Sequence, residues 1–85
     1  MQEIVYKITD PRGIHARPAG QLVKLIKEYG SACQLGSAEK MVDGKHLLSV
    51  MKLSLQQGDN LILQFDGADE KEAAAAAMQF LQENL

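Results

Sequence analysis

Two stretches of this chain repeat with a period of two. Ile4, Tyr6 and Ile8 alternate with Val5 and Lys7, and Leu61, Leu63 and Phe65 alternate with Ile62 and Gln64. Successive side chains of a strand point to opposite faces, so each stretch predicts a strand with one face on a core and the other toward solvent. A sheet of such strands needs cover on one side only. Two helical segments can supply it. Ala19, Leu22, Val23 and Ile26 follow the i, i+3, i+4, i+7 pattern of a helix from Ala16 to Tyr29 that Gly30 ends. Ala73, Ala77, Phe80 and Leu81 make one stripe on a second helix, opened by Asp69 and Glu72 at the spacing of a capping box. The alanines from Ala73 to Ala77 favour the helix and let it sit close on a sheet.

The shorter elements fall between these. Ala32 to Leu35 and Lys40 to Val42 predict a hairpin around Gly36-Ser37-Ala38-Glu39, and Asp43-Gly44 is a turn. Leu47, Leu48, Val50 and Met51 suit a short helix, with Leu53 and Leu55 continuing toward the core. The order is β-α-β-β-(short α)-β-α, without repeat or linker, and residues 1–85 are expected to form a single domain. Half-buried strands and helices on the same side of an antiparallel sheet make an α+β open-faced sandwich. A chain of 85 residues has material for a modest core and needs its layers well packed.

Composition excludes several classes of function. Nine Lys and Arg stand against 11 Asp and Glu, a net charge of −2, and no basic arm or patch with interleaved aromatics is present, so nucleic acid is not an expected partner. Cys33 is the single cysteine and is expected to be a small buried apolar residue in a reducing compartment. No signal peptide or membrane span is visible. A cytoplasmic protein without membrane insertion is therefore the expectation.

The residues with most chemical content are Gly13-Ile14-His15-Ala16-Arg17-Pro18-Ala19-Gly20. Pro18 belongs in the first turn of a helix, where its missing N–H costs no bond, and this places His15 near the N-cap. Ser, Thr, Asp or Asn usually caps such a start with a side-chain oxygen. With histidine there, the N–H groups of Ala16 and Arg17 stay free, and free donors at a helix N-terminus bind anions. An imidazole nitrogen that attacks phosphorus needs a free lone pair, and the group it receives would lie beside those donors and the bidentate fork of Arg17. Taken alone, H-x-R-P also fits a solvated histidine beside an ordinary helix start.

The remainder of the chain extends the match. The Gly13–Ala19 motif, the Gly44-Lys45-x-Leu47-Leu48 start of the short helix, the Leu53-x-Leu55-x-Gln57-Gly58 loop and Asp66-Gly67-x-Asp69-Glu70 before the last helix resemble the HPr family. These are the histidine-containing phosphocarriers of the bacterial phosphoenolpyruvate-dependent sugar phosphotransferase system. The resemblance spans the chain and implies four antiparallel strands with three helices on one face. It implies a phosphoryl carrier, not an enzyme, that takes the group on Nδ1 of His15 from enzyme I and passes it to enzyme IIA domains. Arg17 would neutralise charge, and the N–H groups of Ala16 and Arg17 would hold the oxygens. No cofactor or metal is implied, and a monomer is expected. A regulatory or nitrogen-branch member acting mainly by protein–protein binding is the alternative; regulatory proteins would then join the partners. A small phosphate-handling enzyme fits less well, since the sequence shows no acid or base beside His15.

Against that background the docking surface is expected around Ala16, Gly20, Gln21, Leu47, Leu48 and Met51, rimmed by Lys24, Lys27, Lys45 and Lys52. Leu47 and Leu48 are adjacent on a helix, so at least one should be exposed. Asp66, Asp69, Glu70, Glu72 and Glu83 are expected elsewhere, leaving the charge polarised. One residue departs from the family. His46 occupies the regulatory position where many Gram-positive members have a serine that a kinase phosphorylates, and it also replaces a good N-cap.

Overall fold

The computed structural model describes residues 1–85. In chain order the elements are β1 (Gln2–Lys7), α1 (Ala16–Lys27), β2 (Ala32–Gly36), β3 (Met41–Asp43), α2 (Leu47–Met51), β4 (Asn60–Asp66) and α3 (Glu70–Asn84). The four strands form one antiparallel sheet in the order β1-β4-β2-β3. This is the open-faced α+β sandwich that the alternating strands called for.

Register shows why one face is covered. Ile4 pairs with Leu63 and Tyr6 with Leu61, while Leu35 on the other side of β4 also meets Leu63. These residues turn toward the helices; Leu35, Leu61 and Leu63 are wholly buried. The alternate positions carry Glu3, Val5, Lys7, Gln34 and Gln64, and Gln64 donates a hydrogen bond to Glu3 across the open face at 2.7 Å. The core joins the inward strand residues to Ala19, Leu22, Val23 and Ile26 of α1, Val50 of α2 and Ala73, Ala74, Ala77 and Leu81 of α3. Burying a large aliphatic side chain is worth about 1.5–3 kcal/mol, so the outward polar positions leave the fold to rest on this one layer.

Several boundaries differ from those expected. α1 ends at Lys27, not Tyr29, because its last turn tightens: Glu28 N–H bonds to Leu25 O and Tyr29 N–H to Ile26 O. β2 runs on to Gly36, and β3 lies one residue later than Lys40 to Val42, since pairing matches Gly36 with Met41 and Gln34 with Asp43. The capping box at α3 does not form. Asp69 stands at the N-cap with φ −105°, and its side chain makes no bond to its own helix; its carboxylate crosses to Gly30 and Ser31 instead. Glu70 reaches back to the N–H of Gly67 at 3.2 Å.

Candidate functional site

The site begins with a turn. Gly13 N–H bonds to Asp10 O at 2.8 Å, and Arg12 N–H bonds to the Asp10 carboxylate at 2.9 Å, an Asp-centred turn that reverses the chain after β1. The backbone oxygen of Leu85 accepts the N–H groups of Thr9 and Asp10 at 2.7 and 2.9 Å, so the far end of the chain fixes this turn. Gly13 leaves it at φ +65°, and a Cβ there would overlap the carbonyl of Leu55. That close approach lets Ile14 N–H reach Leu55 O at 3.0 Å. Only glycine meets both demands at this position.

His15 follows in extended conformation, φ −127° and ψ 174°, as the N-cap of α1. Its carbonyl accepts the N–H of Ala19, and no side chain caps the helix. The N–H groups of Ala16 and Arg17 thus face outward without a protein acceptor. Pro18 is buried in the first turn, as its ring requires. Arg17 is exposed and pairs with no carboxylate.

The imidazole is held on one side. Its side chain is 27% exposed, yet Nε2 is buried, has no hydrogen-bond partner and lies 3.6 Å from Oδ2 of Asp10. The backbone N–H of Arg12, then its guanidinium, hold the Asp10 carboxyl below the usual carboxylate range. Arg12 Nε is 3.5 Å from Oδ1. Asp10, Arg12, His15, Arg17, Pro18, Gln21 and Asn84 line a shallow cleft of about 240 Å³ whose wall is polar or charged apart from Pro18. The structure therefore puts an acid beside His15 where the sequence showed none. Asp10 and Arg12 read only as turn residues in the sequence; the available signal was an Asp-Pro-x-Gly turn folding back five residues ahead of the histidine. Nothing in the sequence pointed to Asn84.

Beside this cleft α1 packs on α2, whose Leu47, Leu48 and Met51 are 38%, 64% and 41% exposed while Val50 is fully buried. Gly20 is half-buried, and Ala16, Gln21, Lys24, Lys27 and Lys52 are exposed. Lys45 does not belong to a free rim: its ammonium donates to Tyr29 O at 2.9 Å, just past the end of α1. Charge is less polarised than expected, because Asp10 sits in the cleft and Glu83 beside the Thr9–Arg12 turn. His46 is the N-cap of α2, makes no capping bond, and places Nδ1 2.7 Å from Ser49 Oγ. Burial pushes the Cys33 thiol up to about 12, so it has little thiolate and packs as a small apolar group. No cluster of three or more His, Cys, Asp or Glu side chains is placed to hold a metal ion. No helix is long and apolar enough to cross a membrane.

Comparison with known proteins agrees with this geometry. Residues 2–83 match the family described as PTS HPr component phosphorylation site. The phosphocarrier protein HPr of Lysinibacillus sphaericus is 41% identical over 78 residues, covering 92% of this chain and 89% of that protein. The crystal structure of HPr-C-His from Thermoanaerobacter tengcongensis superposes with a TM-score of 0.91 at 30% identity, over 98% of this chain and 93% of the other. An HPr dimer from the same organism matches with a TM-score of 0.77 at 30% identity, over 98% and 95%. With a histidine at an open helix start, a fold that superposes along almost the whole chain and a family match over residues 2–83, the chain belongs to the HPr family, the phosphoryl carriers of the phosphotransferase system.

Proposed function

We propose that His15 is the phosphoryl acceptor of this carrier, receiving the group on Nδ1 from phosphorylated enzyme I and delivering it to enzyme IIA domains during sugar uptake. The observation that carries this reading is the division between the two ring nitrogens. Nε2 is buried toward Asp10, which leaves Nδ1 as the nitrogen open to an incoming phosphorus. The free N–H groups of Ala16 and Arg17 can donate to the phosphoryl oxygens, and the unpaired guanidinium of Arg17 can offset their charge. Phosphoryl transfer asks a protein mainly for positioning and charge stabilisation, and a carrier also needs an accessible surface. That surface is the exposed patch of Leu47, Leu48 and Met51 with Ala16, Gly20 and Gln21, edged by Lys24, Lys27 and Lys52. The 85 residues act as one domain and as a cytoplasmic monomer, since one patch has to stay open to successive partners.

Incubation with phosphoenolpyruvate and enzyme I tests this. Intact mass should rise by one acid-labile phosphoryl group, and His15→Ala should take up none. Labelling of that variant, or a label stable to acid, would remove His15 from the role.

A further inference from the structure

The buried Nε2 of His15 is the one buried side-chain polar atom in the chain with no hydrogen-bond partner. A buried polar atom left unmatched is unfavourable, and the group that faces this one is the Asp10 carboxylate at 3.6 Å. That carboxylate is not free to turn away. Its Oδ1 is fixed by the backbone N–H of Arg12 and neighboured by the Arg12 guanidinium, which leaves Oδ2 directed at the ring. The backbone of Asp10 is itself pinned by Leu85 O and by Gly13.

We propose that Asp10 is a positioning residue for His15, its carboxylate accepting the Nε2–H and so fixing the tautomer in which Nδ1 carries the lone pair. The proposal rests on the reading of His15 Nδ1 as the phosphoryl acceptor. Closing from 3.6 Å to a hydrogen bond takes less than 1 Å, the kind of tightening that accompanies loading of a site. The division of labour is that of a histidine and its orienting carboxylate in hydrolytic triads.

The transfer step balances without a proton moving. The Nδ1 lone pair forms the bond to phosphorus while the bond from phosphorus to the donor breaks, its electron pair leaving with the donor. Nε2 keeps its hydrogen, so the phosphorylated ring becomes a cation, and the Asp10 carboxylate is the counter-charge on the side away from the phosphoryl oxygens. Arg12 keeps that carboxylate ionised and in place, which separates its part from that of Arg17, whose guanidinium pairs with no carboxylate.

The test is made on unphosphorylated, ring-¹⁵N-labelled protein, roughly two pH units above the ordinary imidazole value of about 6.5, by long-range ¹⁵N–¹H correlation. Wild type should carry its ring proton on Nε2. In Asp10→Asn the oxygen can still accept the Arg12 N–H, but the amide now donates toward Nε2, so the population protonated on Nδ1 should rise several-fold. Uptake from phosphorylated enzyme I should slow by about tenfold or more. Asp10→Glu, which keeps the carboxylate, should return the wild-type tautomer. A wild-type ring protonated on Nδ1, or the same tautomer ratio in all three proteins, would overturn the proposal. A wild type that takes up no phosphoryl group at His15 would instead dispose of the acceptor reading, and the tautomer measurement would still decide what Asp10 does.

Discussion

The carboxylate of Asp69 is hydrogen-bonded to Ser31 and not to the helix it opens. It accepts the N–H of Ser31 at 2.9 Å, the Ser31 hydroxyl, and the N–H of Gly30 at 2.8 Å. One side chain therefore ties the segment leaving α1 to the start of α3.

This bond predicts an acid dependence of stability. The Ser31 hydroxyl, then the Gly30 N–H, hold the Asp69 carboxyl below its ordinary value. A carboxyl with a depressed folded pKa adds stability that is complete above the unfolded value, about 3.9, and is lost as pH falls through the folded one. Urea midpoints should therefore fall below roughly pH 4, with Asp10 and Glu70 contributing in the same direction. Asp69→Asn should be less stable at neutral pH and show a shallower fall in acid. An unchanged pH slope would mean that the interaction is not formed in solution.

The contrast between Asp69 and the strands explains what the sequence could reveal. Alternation at Ile4, Tyr6, Ile8 and at Leu61, Leu63, Phe65 depends only on the direction of neighbouring side chains, so the layer architecture was legible from the chain. The helix start at Ala16 was legible for the same local reason, because Pro18 has few other places to go. Asp69 was read as a cap from its distance to Glu72, but its choice of partner depends on where Ser31 lies, 38 residues away. Asp10 and Arg12 are the parallel case in the site. Their turn was visible, while its approach to the imidazole depends on Gly13 meeting Leu55 and on Leu85 fixing Thr9 and Asp10.

Gly13→Ala should damage both fold and transfer. A left-handed φ costs an L-residue about 1–2 kcal/mol, and the overlap of its Cβ with the Leu55 carbonyl adds a comparable amount. The loss should be about 2 kcal/mol or more by urea denaturation, and displacement of the Ile14 bond should slow phosphoryl uptake. Gly58→Ala is the control. Its φ is +93° but a Cβ there meets nothing, so it should lose a smaller amount of stability and keep wild-type uptake. Equal behaviour of the two variants would show that the Gly13 contact does not position His15.

Leu48→Glu should separate docking from folding. Leu48 is 64% exposed, so a glutamate can stay solvated in the free protein and the melting temperature should move by only a few degrees. In a complex the same charge would be desolvated, and binding to both enzyme I and an enzyme IIA domain should weaken by about tenfold or more, roughly 1.4 kcal/mol. Val50→Glu, at a fully buried position on the opposite face of α2, should fail to fold. Titration calorimetry against each partner checks the first variant. Wild-type affinity for both would place the docking surface elsewhere.

His46 gives the last prediction. The ring stands at the N-cap of α2 and satisfies none of its N–H groups; its Nδ1 meets the Ser49 hydroxyl at 2.7 Å instead. An imidazole cannot act as a serine-kinase acceptor, and the Ser49 hydroxyl, on the first turn of α2, is engaged by that ring. Treatment with the regulatory serine kinase of Gram-positive relatives and ATP should therefore leave the wild type unmodified. His46→Ser changes two properties together. A serine at this position can cap the first turn, which is worth about 0.5–2 kcal/mol, and it presents a hydroxyl at the position the kinase uses in those relatives. The variant should unfold at higher urea than wild type and gain one acid-stable phosphate by intact mass. A phosphate on Ser49 or Ser54 of the wild type would show that the hydroxyl contact does not protect α2, and that the histidine has not removed the chain from kinase control.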